Sequence, residues 1–192
     1  MLKRLVFLLI IATALHSHAQ DSNWSVEASY PYTFGDNFVD EGYNGAADLG
    51  VKYKITSYDA MDIGASFNVG AFIRDDSRFD NNIDASGSAV LFQPRIFASF
   101  KLNQFPQIHP MVGLGYSIFA FSQDEQNFAG ANFQENNSDD GVNINAAIAY
   151  DVTDHLFVQV QYDYVRLSAR DFLDVSYNRN VNIIKLGIGY RL

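Results

Sequence analysis

Eight stretches of this chain alternate apolar and polar residues in phase, and no other feature restricts its fold as much. The clearest is the last. In Val181–Leu192, one face carries Ile184, Leu186, Ile188, Tyr190 and Leu192. From Asn182 on, the other carries Lys185, Gly187, Gly189 and Arg191, with Ile183 its one apolar member. A period of two puts successive side chains on opposite faces of a strand, so the two faces meet different surroundings. A long free edge at the end of a sheet invites association with other chains, and pairing the last strand with the first removes it.

The same alternation runs through Trp24–Tyr32, Ala47–Ile55, Met61–Ala71, Val90–Lys101, Pro110–Ala120, Val142–Val152 and Leu156–Tyr164. Each stretch has about the 9–11 residues that a tilted strand needs to cross a bilayer. The connections alternate in length. Phe34–Asn44, Ile73–Ala89, Ser122–Gly141 and Ser168–Asn180 are long; Thr56–Ala60, Asn103–His109 and Thr153–His155 are short. Long loops at one end, short turns at the other and an even strand count predict an all-β fold, an eight-stranded antiparallel up-and-down transmembrane β-barrel. Pro94 inside the fourth strand lacks a ladder donor and predicts a local irregularity.

Alternation alone does not say whether the apolar face lines a core or meets lipid. A lipocalin-like barrel would be apolar inside and polar outside. Two patterns oppose that. Glycine is frequent on the polar face, at Gly50, Gly64, Gly70, Gly113, Gly115, Gly187 and Gly189, which suits a crowded lumen better than a solvated surface. Apolar-face aromatics gather at strand ends. Trp24, Tyr53, Phe100, Tyr150 and Tyr190 fall toward the short turns; Tyr30, Tyr32, Phe92, Tyr162 and Tyr164 fall toward the long loops. Two aromatic girdles mark two membrane interfaces, so the apolar face is read as lipid-facing.

The N-terminus has the form of a secretory signal peptide: Lys3 and Arg4, an apolar run over Leu5–Leu15, then small residues at Ser17 and Ala19. The run is about half the ~20 residues of a membrane-spanning helix. Cleavage between Ala19 and Gln20 is expected, giving a signal at residues 1–19 and one barrel domain at 20–192. Losing Lys3 and Arg4 takes the formal charge from -9 to -11. So acidic a chain is not a nucleic-acid binder. With no cysteine, disulfides and thiol chemistry are excluded.

The signal peptide, the turn Asp151–Phe157 and the ending L-G-I-G-Y-R-L together resemble the small eight-stranded outer-membrane barrels of Gram-negative bacteria, the OmpA transmembrane-domain and OmpX type. The resemblance implies an integral outer-membrane protein among porin-like barrels, with lipid bilayer and lipopolysaccharide around it. It also implies insertion by the barrel assembly machinery, which reads the last strand as an assembly signal. In that family the signal has an aromatic third from the end and usually a terminal phenylalanine. Tyr190 matches the first; Leu192 stands in place of the second.

Enzymes occur on such barrels, but acyl transfer or hydrolysis needs a general base, most often histidine. Beyond the leader the chain has only His109 and His155, both placed in short turns, so no catalytic residue, cofactor or metal site is assigned. Acidic loop stretches such as Asp80–Asp84 lack EF-hand spacing and read as solvated. The lumen face carries charges in layers. Nearest the short turns are Lys54, Asp62, Lys101, Asp151 and Arg191; next come Glu27 and Lys52; then Asp48, Arg95, Asp163 and Lys185. Opposite charges nearly cancel, so paired side chains should fill the lumen. Three pairs are expected, Glu27–Lys52, Lys54–Asp62 and Asp163–Lys185, if Leu156 lies beside Leu192. The four long loops sum to about -10 and are candidates for contact with an extracellular ligand. Two functions stay open: a plugged barrel serving envelope structure or surface adhesion, and a narrow pore or transport channel.

Overall fold

The computed structural model describes residues 23–74, 85–126, 132–168 and 176–192. The expected cleavage position at Ala19 and Gln20, and the acidic stretch Asp80–Asp84, lie outside them. Eight strands form a closed barrel in sequence order: β1 Trp24–Phe34, β2 Tyr43–Ser57, β3 Met61–Arg74, β4 Ala85–Phe100, β5 Ile108–Gln126, β6 Asn132–Asp151, β7 Leu156–Leu167 and β8 Asn180–Arg191. All neighbours are antiparallel, and β1 closes on β8 from Ser25↔Arg191 to Phe34↔Asn182. Closure leaves no free edge along the paired length.

The short turns are tied by their own backbone. Tyr58 N–H donates to Met61 O at 2.8 Å, and Val152 N–H to Leu156 O at 2.8 Å. Thr153 Oγ1 accepts from Leu156 N–H at 2.9 Å, the side-chain mimicry that favours threonine in turns. At the other end the four regions expected as loops are partly regular, and β3 and β4 reach into Ile73–Ala89, β3 as far as Arg74 and β4 from Ala85. Much of Ser122–Gly141 continues the β5–β6 hairpin, paired from Ser117↔Gly141 out to Gln126↔Asn132. Nothing in a polar sequence prevents an antiparallel ladder from extending past the membrane. Two short helices also form, α1 Phe38–Gly42 and α2 Ser176–Arg179. Asn37 caps α1 by accepting from Asp40 N–H at 3.0 Å, and Gly35 enters at φ 97°, a conformation favoured by glycine.

Three expectations of register change. Leu156 faces Tyr190, not Leu192, a slip of two residues that preserves which face each side chain takes. A bulge between Lys54 and Thr56 sets Asp62 opposite Ser57 and Lys54 opposite Gly64, which separates the expected Lys54–Asp62 pair. His109 is not in a turn; β5 begins at Ile108, with His109 opposite Ala149. At Pro94 the pairing of β4 with β5 lapses over Gln93 and Pro94, then resumes in unchanged register. The missing N–H interrupts the ladder without shifting it.

Apolar side chains turn outward along every strand, with Ile96 63% and Leu49 62% exposed. In water such a continuous belt would be an aggregation surface; acyl chains solvate it. The protein's own core is therefore the lumen. Among the described residues no helix is long and apolar enough to cross a membrane, which says nothing of a barrel.

Candidate functional site

The strands incline to the barrel axis, so lumen side chains meet diagonally rather than straight across the ladder. Glu27 faces Gly50 in register, yet its Oε2 lies 2.6 Å from Lys52 Nζ. Gln159 Nε2 donates to the same oxygen at 2.9 Å, and Asn68 Nδ2 to the other at 2.8 Å. A buried carboxylate is tolerated only with its lone pairs occupied in this way.

Further toward the long loops, Lys185 Nζ joins two carboxylates, Asp48 at 2.6 Å and Asp163 at 3.2 Å. Arg95 Nη2 reaches Asp163 at 3.2 Å. Gln93 accepts from both cations and donates to Ser117 Oγ at 3.1 Å; its contact with Lys185 is 2.7 Å. Gln161 Nε2 donates to Asp163 Oδ1 at 2.8 Å, and Asn68 Nδ2 to Asp48 Oδ1 at 2.9 Å. The cluster has two cations and two anions, and Asp48 and Asp163 are fully buried. Its members come from six strands, so it spans the barrel from wall to wall.

Near the short turns the pairs are wetter. Lys101 Nζ meets Asp62 Oδ1 at 2.8 Å, and Ser57 Oγ donates to that oxygen at 2.6 Å. Asp151 is held between His109 Nε2 at 2.8 Å and Arg191 at 2.7 Å. The Arg191 guanidinium lies 4.8 Å from the centre of the Phe157 ring. Phe157 occupies the space beside Gly189, where an added Cβ would fall 2.1 Å from the ring; Phe97 likewise fills the space beside Gly64, at 2.5 Å. These two glycines admit rings, as a crowded lumen requires. Tyr190, expected to belong to an assembly signal, points outward and stacks on His155 at 5.5 Å. Leu192 donates its backbone N–H to Trp24 O at 3.0 Å.

A third zone was not anticipated as a layer. Above the charged cluster, Phe72, Leu91, Phe119, Val165, Val181 and Ile183 point inward, each at most 1% exposed. Val39 of α1 is buried in the same cluster, and Phe38 packs against it. Phe119 stacks on Phe121 at 5.6 Å, and Phe38 approaches Phe121 at 5.8 Å. The signal was present as exceptions: Leu91, Phe119 and Ile183 stand on otherwise polar faces, all toward the long-loop ends.

The model of the outer membrane protein beta-barrel domain matches residues 5–191. Among solved structures, a major outer membrane protein from Thermus thermophilus is similar, with 15% identity over 90% of this chain and 100% of that one, TM-score 0.60. The attachment invasion locus protein Ail of Yersinia pestis shares 15% identity over 90% of this chain and 100% of its own, TM-score 0.56. The outer membrane enzyme PagL shares 15% over 88% and 99%, TM-score 0.50. At such identities these likenesses concern the fold alone. No curated protein matches the sequence.

Proposed function

Because the chain belongs to the outer membrane protein β-barrel family, and is an integral protein of the bacterial outer membrane, we propose that it is a plugged, non-enzymatic barrel whose work is done by its outward loops. That work is envelope structure or surface interaction and adhesion. The observation that carries the reading is the stacking of two filled zones in one lumen, the Asp48–Lys185–Asp163–Arg95 cluster and the apolar zone above it. Eight strands enclose an interior that side chains can fill, whereas open aqueous pores generally take about sixteen.

PagL establishes that this fold can host an enzyme. Here the two histidines beyond the leader are placed at the short-turn end, His109 against Asp151 and His155 against Tyr190. That placement supports a binding protein rather than a hydrolase. Ail has been captured with the heparin analogue sucrose octasulfate. Loops carrying about -10 would repel so anionic a ligand, so the partner expected for this chain is neutral or cationic.

A narrow channel is the second reading, favoured by a cavity of about 140 Å³ at the short-turn end of the lumen. Planar-bilayer recording separates the two. The purified wild-type barrel should give at most small, rare conductance steps; large, stable, porin-like steps would refute the plug and put transport first.

A further inference from the structure

The cavity at the short-turn mouth is lined by Ser25, Lys52, Lys54, Asp62, Phe157 and Arg191, among others. Three of these are permanent cations and one is a carboxylate. The carboxylates of this region are already engaged: Glu27 with Lys52, Asp62 with Lys101, Asp151 with Arg191 and His109. Three anions thus meet three permanent cations and a histidine, and Lys54 is left over. Among the described residues the Lys54 ammonium makes no hydrogen bond or ion pair, although it lies within the electrostatic influence of Asp62. Ser25 stands on β1 between Lys52 of β2 and Arg191 of β8, and its hydroxyl likewise has no partner among the described residues.

We infer that this mouth binds a small tetrahedral oxyanion, with inorganic phosphate as the reference case, held by the Lys54 ammonium and the Ser25 hydroxyl. Lys52 and Arg191, on the strands either side, add positive field. Phosphate is favoured over carboxylate by geometry. The Arg191 guanidinium, the group best shaped to grip a planar carboxylate, already has one Nη drawn to Asp151 at 2.7 Å and its face on the Phe157 ring. What remains is a point-charge ammonium and a rotatable hydroxyl, donors that suit an anion accepting from several directions. The Phe157 ring forms an apolar wall, which keeps water off one side and strengthens the interaction. The same phosphate chemistry is offered by the free anion and by the head of a phosphomonoester.

The test is titration of the refolded, isotope-labelled full barrel in micelles with inorganic phosphate, at fixed pH and ionic strength balanced by chloride. Saturable amide shifts are expected at Ser25, Lys54 and Arg191. Lys54→Met should weaken binding about tenfold, the worth of one charge-assisted contact, and Ser25→Ala by a smaller factor. Arg166→Met, on an exposed outer position of β7, should leave it unchanged. Glycerol phosphate as titrant separates the sources: comparable binding assigns the site to phosphomonoesters, and much weaker binding assigns it to free phosphate. Shifts that grow linearly without saturating, or a Lys54→Met barrel that binds as the wild type does, would overturn the inference. So would acetate binding as tightly as phosphate. Ser25→Ala keeps the test decisive if Lys54→Met refolds poorly.

Discussion

Toward the short turns the lumen is charged and wet. The Lys101 and Asp62 side chains are 36% and 25% exposed, and those of Arg191 and Asp151 are 33% and 21% exposed. Toward the long loops it is apolar and dry, with Phe119, Leu91, Val165 and Ile183 at 0%. Between them lies a band where charges are as buried as the phenylalanines but are matched two against two. The same period-two wall builds all three, so alternation decides only that a residue faces inward. Depth along the barrel decides what it must be. Near water a charge is solvated, at mid-depth it must be paired, and beyond that hydrocarbon fills the space without electrostatic cost.

The largest expected effect tests the middle band. Lys185→Met strands Asp48, whose ion pair it makes at 2.6 Å, and should destabilise the barrel by about 4 kcal/mol. Adding Asp48→Leu restores neutrality, with Asp163 still held by Arg95, and should recover a substantial part of that loss. Urea unfolding from lipid, followed by the single tryptophan, Trp24, measures both. Losses that simply add would mean the charges are not coupled, and the middle band would not differ in kind from the mouth.

The outer zone should respond differently. Phe119→Ala removes a fully buried ring packed against Phe72 and Phe121, at 6.1 and 5.6 Å, and should cost about 3 kcal/mol through lost burial and a residual cavity. No second deletion should rescue it, because no charge is left behind. A loss well under 1 kcal/mol in the same unfolding assay would show that this zone collapses freely and is not a packed layer.

Much of this architecture is legible in the sequence, because a membrane barrel writes lipid and lumen onto alternate residues. Depth and register are not. A slip of two residues, as between Leu156–Leu192 and the observed Leu156–Tyr190, leaves every side chain on its own face and so leaves no trace in the pattern. The bulge at Lys54 and Thr56 adds a residue without breaking the alternation visibly, yet it hands Asp62 to Lys101. Lys185 and Asp163 come within 3.2 Å despite the altered register, because long side chains on inclined strands span the difference. The outer apolar zone is hidden in the sequence for another reason. Leu91, Phe119 and Ile183 each look like a lapse within one strand, and they become a layer only when the strands are set side by side. Val39 joins them from a helix whose hydrophobic positions sit inside an otherwise polar loop.

The smallest effect concerns what holds that helix over the outer zone. Tyr177 of α2 donates its phenol to Glu41 Oε2 of α1 at 2.6 Å, linking the first and last long connections. The hydrogen bond and the nearby carboxylate charge favour the protonated phenol, whose pKa is pushed up to about 12 from an ordinary 10.0. A raised pKa in the folded state means the contact contributes fully below pH 10 and is lost as pH rises through about 12. The phenol is largely solvated, so the barrel as a whole should keep its stability across that window. Only the cover over the outer zone should loosen. Carbon NMR of labelled tyrosines, with the resonance assigned by its disappearance in Tyr177→Phe, should show Tyr177 ionising well above the exposed tyrosines. In Glu41→Gln its midpoint should fall back toward the ordinary value. If the Tyr177 midpoint is ordinary in the wild type, the two connections are not joined there, and the outer zone is held by the packing of Val39 and Phe38 alone.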